Sequence, residues 1–230
     1  MSAERGQLPT TCRKGSKMDA ENGRAAGQVS MATERDLKGI VGIHRRAFPG
    51  FFLTRLGKQF LYEYYRLVLD YSGGVLMTIA ADSGDLAGFA AGLIEPQKFY
   101  AEMKKSKWRF VRGTVPALLR RPVMLFRLIF NFVQVKKQSQ AGPVSSQTVC
   151  ELSSIAVDPL YAGKRWGQRL LGYFFDHLRE RGIGTVVLTT DASDNDAVNR
   201  FYRDCGFKLD ETIPAYGGRI MNRYVIGLDR

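Results

Sequence analysis

Little in this sequence would staple the chain or sink it into a bilayer. It has three cysteines, Cys12, Cys150 and Cys205, too few and too scattered for a disulfide framework. There is no Cys-x-x-Cys pair and there are only two histidines, so no zinc cluster is expected and no metal is called for. No run approaches the roughly 20 consecutive apolar residues that span a membrane. The opening residues, MSAERGQLPTTCRKGSKMDAENGRAAG, hold no apolar stretch of the kind a secretory leader needs. The expectation from these absences is a chain in a reducing, cytoplasmic setting.

What is present is apolar mass and positive charge. A hydrophobic fraction of 45% with 14 Phe and 10 Tyr fills the core of one domain of this length. The net charge is +12, and it is local: from Lys98 to Lys137 there are eleven Lys and Arg against one acid, Glu102. The rest of the chain is nearly neutral, so the basic character belongs to one element.

Residues 1–27 are polar and aperiodic and read as a disordered tail. The remainder, 28–230, reads as one domain with a basic insert at about 98–142. QVSMA is a short strand. TERD then matches a capping box, Thr33 with Asp36 three residues on. Leu37, Ile40, Val41, His44 and Phe48 follow at helical spacing, FPGFF breaks that helix, and a second runs from about Thr54 to Leu69. GGVLMTIAAD and LAGFAAGLIE, joined by SGD, form a hairpin of strands. TVCELSSIAV is a strand and 165–181 a helix stopped at Gly182. TVVLTT is a buried strand, NDAVNRFYRDC a short helix, and FKLDETIP and RIMNRYVIGL close the chain as strands. The order is mixed α/β without internal repeats.

The segment DPLYAGKRWGQRLL joins a strand to a helix through a turn with Gly163 and Gly167. The first N–H groups of a helix lack intrahelical acceptors and lie at the positive end of its dipole. A turn feeding such a helix points several N–H groups at one anion. Residues 163–168 (Gly163, Lys164, Arg165, Trp166, Gly167 and Gln168) are placed for this, and Lys164 and Arg165 add charge that suits a diphosphate. An ordinary turn with a solvated basic pair is the alternative.

SSIAVDPLYAGKRWGQRLL followed by NDAVNRFYRDCGF resembles, in both motifs and in their order, the GNAT superfamily of N-acetyltransferases. The resemblance spans about residues 28–228, with the basic insert as an extra. Ala162 and Arg165 depart from the family's usual Gln or Arg and Gly. Arg165 is tolerable if its φ is already helical, as at a first-turn position.

The resemblance implies a fold and a chemistry. The fold is a central twisted mixed sheet flanked by helices. The chemistry is transfer of acetyl from acetyl-CoA to a primary amine. The backbone N–H of Ile155 would receive the developing charge on the thioester oxygen, and Ala156 and Val157 would pair with the pantetheine arm. Residues 163–168 would hold the pyrophosphate. Tyr202 would protonate the leaving thiolate. Asn195 would contact the cofactor or cap its helix. Strict alternation along the strand would put Glu151, Ser153 and Ile155 on one face, with Glu151 as base. Asp191 and a water relay are the rivals.

The acceptor is expected to be a small-molecule amine, an amino sugar or a nucleotide-linked amino sugar among the options. The apolar helix flanked by basic pairs in RRPVMLFRLIFNFVQVKK either packs on the domain, lies on an anionic membrane surface, or docks an acidic carrier or phosphate-bearing substrate. No nucleic-acid module is recognisable, and a homodimer stays open. A non-catalytic acyl-CoA-binding module and an enzyme using a longer acyl donor are the alternative functions.

Overall fold

The computed structural model describes residues 27–106, 108–110, 148–215 and 218–228. The N-terminal tail and most of the basic insert lie outside the described residues, as does the apolar helix read within that insert.

One seven-stranded sheet organises the chain in the order β1-β2-β3-β4-β5-β7-β6. The strands are β1 Val29–Met31, β2 Gly74–Ala80, β3 Leu86–Ile94, β4 Val149–Val157, β5 Thr185–Asp191, β6 Lys208–Pro214 and β7 Ile220–Gly227. Only β4 and β5 run parallel; every other neighbour pair is antiparallel. The helices are α1 Leu37–Ala47, α2 Phe52–Arg55, α3 Lys58–Asp70, α4 Pro96–Lys105, α5 Trp166–Glu180 and α6 Asp196–Asp204.

Two apolar layers sandwich the sheet. On one face α5 and α6 bury Leu170, Phe174, Leu178 and Tyr202 against Cys150, Leu152 and Val186. On the other, α1, α3 and α4 bury Leu37, Ile40, Tyr65, Val68 and Phe99 against Leu76, Phe89 and Leu93. The capping box at Thr33 forms as expected: Asp36 Oδ2 accepts from the Thr33 backbone N–H at 2.8 Å and from its hydroxyl at 3.0 Å. The helix read as Thr54–Leu69 is instead two, because Gly57 takes φ +102° and no right-handed helix continues through that angle.

The start of the basic stretch is not an appendage. Pro96 opens α4 from its first turn, and Phe99 and Met103 are buried in the core. Charge alone hid this, because the lysines lie on the outer side of a helix whose inner side is aromatic.

The β3–β4 ladder carries the detail that shapes the site. Its register shifts between Ala91 and Gly92, so that Ala91 faces Ser154 while Gly92 faces Leu152. Ser153 is the extra residue, a β-bulge. Its hydroxyl donates to the Ala91 carbonyl at 3.2 Å.

Candidate active site

The bulge overturns the strict alternation expected for β4. Cys150 and Leu152 face α5 and Glu151 faces α3 and α4. After the extra residue the phase inverts. Ser153 and Ser154 lie beside the tyrosines of α3, Tyr64 and Tyr65 respectively. Ile155 and Val157 pack with the α5 layer, and Ala156 with the α3 layer. Glu151 and Ile155 therefore present side chains to opposite faces, and only Ser153 stays with Glu151.

Main-chain direction along β4 follows from one bond. The Asp158 N–H donates to the Ala87 carbonyl at 2.8 Å, which makes that pair a bonded one. Antiparallel ladders alternate, so Val157 and Ile155, opposite Gly88 and Ala90, turn their N–H and C=O groups away from β3. Ala156, opposite Phe89, spends its own on the ladder. The side that Ile155 and Val157 face is open. Pairing between β4 and β5 ends at Glu151↔Val187, after which the parallel strands part. The wedge between them exposes the edge of β4 from Leu152 to Val157.

The turn that follows β4 ends beside this wedge. Asp158 is buried and caps Leu160, while Arg46 of α1 grips its carboxylate through Nε at 3.2 and 3.1 Å and through a further contact from its terminal nitrogen. The hydrogen bond from Arg46 holds the Asp158 carboxyl below its ordinary range. Gly163 turns at φ +85° and Arg165 at φ +57°. The expectation of a helical φ at Arg165 is therefore corrected: the residue is left-handed, the conformation that glycine adopts without penalty. Lys164 does not project freely. Its Nζ binds Asp82 of the β2–β3 turn at 2.8 Å.

Among the described residues, the backbone N–H groups from Gly163 to Gln168 find no acceptor; the ladder of α5 begins at Arg169, which bonds Arg165. They sit at the positive end of a fifteen-residue helix. A wedge exposing two outward N–H groups, next to a row of unpaired donors, fits coenzyme A: an extended amide arm for the wedge and an anionic diphosphate for the row. Gly167 serves a different need. A Cβ there would meet the Phe201 ring at 3.3 Å and Val157 Cγ2 at 3.8 Å, so its smallness lets α5 start against α6 and β4.

Tyr202 stands on α6 with its ring against Phe201, Phe207 and Tyr224. Its phenol makes no hydrogen bond among the described residues, and burial pushes its pKa up, so it keeps its proton across neutral pH. Asn195 precedes α6 without capping it; its amide donates to Thr190 Oγ1 at 2.9 Å and to the Asp191 carbonyl at 3.2 Å. Asp191 is held by Arg219 at 2.5 to 2.9 Å, which engages both of its carboxylate oxygens.

Glu151 has no such cation among the described residues. It is half-buried, Tyr100 of α4 donates to its Oε1 at 2.9 Å, and burial raises its pKa while that hydrogen bond opposes the rise. Tyr100, Tyr64, Tyr65, Arg46 and Asp158 were not singled out from the sequence. The Ser-Ser pair interrupting an apolar strand was a legible sign of the bulge.

One segment of the chain matches a family model, and solved structures share its fold. Residues 128–207 match the model of the acetyltransferase (GNAT) family. A GNAT-family acetyltransferase structure from Desulfovibrio desulfuricans superposes with TM-score 0.58 at 16% identity, covering 89% of this chain and 100% of that one. The yncA protein of Salmonella typhimurium, solved with acetyl-CoA, superposes with TM-score 0.53 at 15% identity, covering 89% and 95%. The chain carries the GNAT fold, and about a third of its length matches the GNAT family model. Among curated proteins, mycothiol acetyltransferase of Thermobifida fusca (strain YX) is 36% identical over 77 residues, 34% of this chain and 24% of that protein. The match thus spans about a quarter of that relative's length.

Proposed function

We propose that the protein is an acetyl-CoA-dependent N-acetyltransferase acting on the primary amine of a small molecule. The observation that carries this reading is the wedge between β4 and β5, bordered by the unpaired N–H groups at the start of α5. Acetyl-CoA, when bound, supplies the activated acetyl group as a thioester.

The chain's residues then divide the work. Gly163 to Gln168 hold the diphosphate. The outward main-chain groups of Val157 and Ile155 align the extended arm, and the Ile155 N–H offers a fixed donor where negative charge develops. Holding both reactants in this geometry supplies much of the acceleration. Glu151 Oε2 takes the proton of the attacking amine, and Tyr202 Oη returns one to the departing sulfur. The Arg46–Asp158 pair fixes the end of β4 to α1, which keeps the cradle in register with the strand. An amino sugar, free or nucleotide-linked, is the acceptor we favour, because the basic residues from Lys98 onward suit a phosphate-bearing partner.

Incubation with labelled acetyl-CoA and a panel of amines, amino sugars and a basic peptide tests this. Label should pass to an amino compound, and Tyr202→Phe should slow transfer by about 10²–10⁴-fold with cofactor affinity kept. Thermal stabilisation by coenzyme A without transfer to any amine would instead make the protein a binding module.

A further inference from the structure

The half-buried carboxylate of Glu151 is set in an aromatic frame that the mechanism above does not explain. Leu93 faces it across the β3–β4 ladder and Val187 across the β4–β5 ladder, and both are apolar. The titratable groups around it are Tyr64 from α3, Tyr100 from α4 and Cys150 on its own strand. No Lys or Arg pairs with it among the described residues. A carboxylate in such a place would ordinarily take up a proton or swing out to solvent. One contact opposes both: the Tyr100 Oη–Glu151 Oε1 hydrogen bond at 2.9 Å.

We infer that Tyr100 is a positioning residue for the base: it pins Oε1 of Glu151 and leaves Oε2 as the oxygen that receives the amine's proton. This deepens the reading of Glu151 given above and rests on it. The geometry is specific in three respects. Tyr100 keeps its phenolic proton, since burial raises its pKa, and donates it to Oε1, a hydrogen bond that favours the carboxylate over the carboxylic acid. Oε2 has no partner among the described residues, so the carboxylate is half-satisfied rather than saturated. The hydroxyl is not needed to seat α4. Phe99, with no exposed surface, and Met103 anchor that helix, and the Tyr100 ring packs edge-on against Phe99 at 5.5 Å.

The arrangement also gives α4 a part in catalysis. The helix grows directly out of the end of β3 and lies on the side of the sheet where the acceptor must approach Glu151. Anything that shifts α4 shifts the hydroxyl, and with it the proton affinity of the base.

Tyr100→Phe removes the hydroxyl and keeps the ring. The probe is the Glu151 carboxyl itself, followed by carbon-13 NMR of glutamate-labelled protein across pH 3 to 9, with Glu151→Gln supplying the assignment. The expected result is a Glu151 titration about one pH unit higher in Tyr100→Phe than in wild type, a tenfold gain in proton affinity, with melting temperature nearly unchanged. The acidic limb of the transfer rate should move upward with it, and Tyr100→Phe should add nothing further in the Glu151→Gln background. A Glu151 titration that stays put or falls in Tyr100→Phe overturns the inference, whatever the rate does. If the titration moves as expected but Glu151→Gln transfers acetyl at the wild-type rate, then the assignment of Glu151 as base fails while the Tyr100 contact stands.

Discussion

Arg165 is the residue whose environment differs most from what its neighbours in sequence imply. It sits left-handed at the point where the turn enters α5, with its side chain exposed. For a residue with a Cβ this conformation costs about 1–2 kcal/mol, against an entropic cost of about 0.5–1 kcal/mol for glycine. Arg165→Gly is therefore expected to raise stability by up to about 1 kcal/mol, read as a higher melting temperature in the absence of ligand. Retaining arginine against that gradient is what a residue kept for its guanidinium would do. The companion measurement is coenzyme A affinity, which should fall in Arg165→Gly if the side chain meets a phosphate and stay level if it lies in solvent. From the sequence the residue looked like a helical first-turn substitution. Its backbone angle was not legible, because it depends on how the Gly163 turn meets the helix and not on the residue's own preference.

At the level of elements, β3, β4 and α5 depend on one glycine and one extra serine. Gly92 stands beside the bulge, and a Cβ there would lie 2.4 Å from Phe174 Cζ and 3.1 Å from Cys150 Sγ. Gly92→Ala should cost about 1–3 kcal/mol through overpacking, a fall of several degrees in melting temperature, because Phe174 is fully enclosed. The strands and helices themselves were readable from period and punctuation: the capping box at Thr33, the hairpin around SGD, the stop at Gly182. The site was readable less evenly. Motif spacing pointed to the turn at 163–168, which leads into α5, and to Tyr202, which lies on α6. Alternation failed at β4, since one unpaired residue reverses every later side chain. Tyr100 escaped notice because it opens a stretch that was read by its positive charge.

Across the whole molecule, the layer between α1, α3 and the sheet contains a titration that should be visible in bulk stability. His44 is buried, its Nδ1 lies 2.7 Å from Tyr65 Oη, and its Nε2 is buried without a partner among the described residues. Burial lowers its pKa to about 4. An unfolded histidine titrates near 6.5, so between about 6.5 and 4 the unfolded chain binds a proton that the native chain refuses. Stability present above pH 6.5 is lost as pH falls through that window, by at most about 1.4 kcal/mol per unit. Urea midpoints measured from pH 7 to 4.5 should show the decline, and His44→Gln, which keeps a polar partner for Tyr65, should flatten it while lowering stability at pH 7.

The parting of β4 from β5 reaches beyond catalysis into how long a molecule survives. A sheet that opens beside a row of unpaired amides has left part of its own cohesion to be completed by whatever it binds. At a ligand concentration a hundred times its dissociation constant, mass action adds about 2.7 kcal/mol to stability, roughly a hundredfold fewer unfolded molecules exposed to a protease. Under the function proposed above, plenty of acetyl-CoA would preserve the protein and scarcity would thin its numbers, so that the supply of donor would set the amount of catalyst as well as its rate.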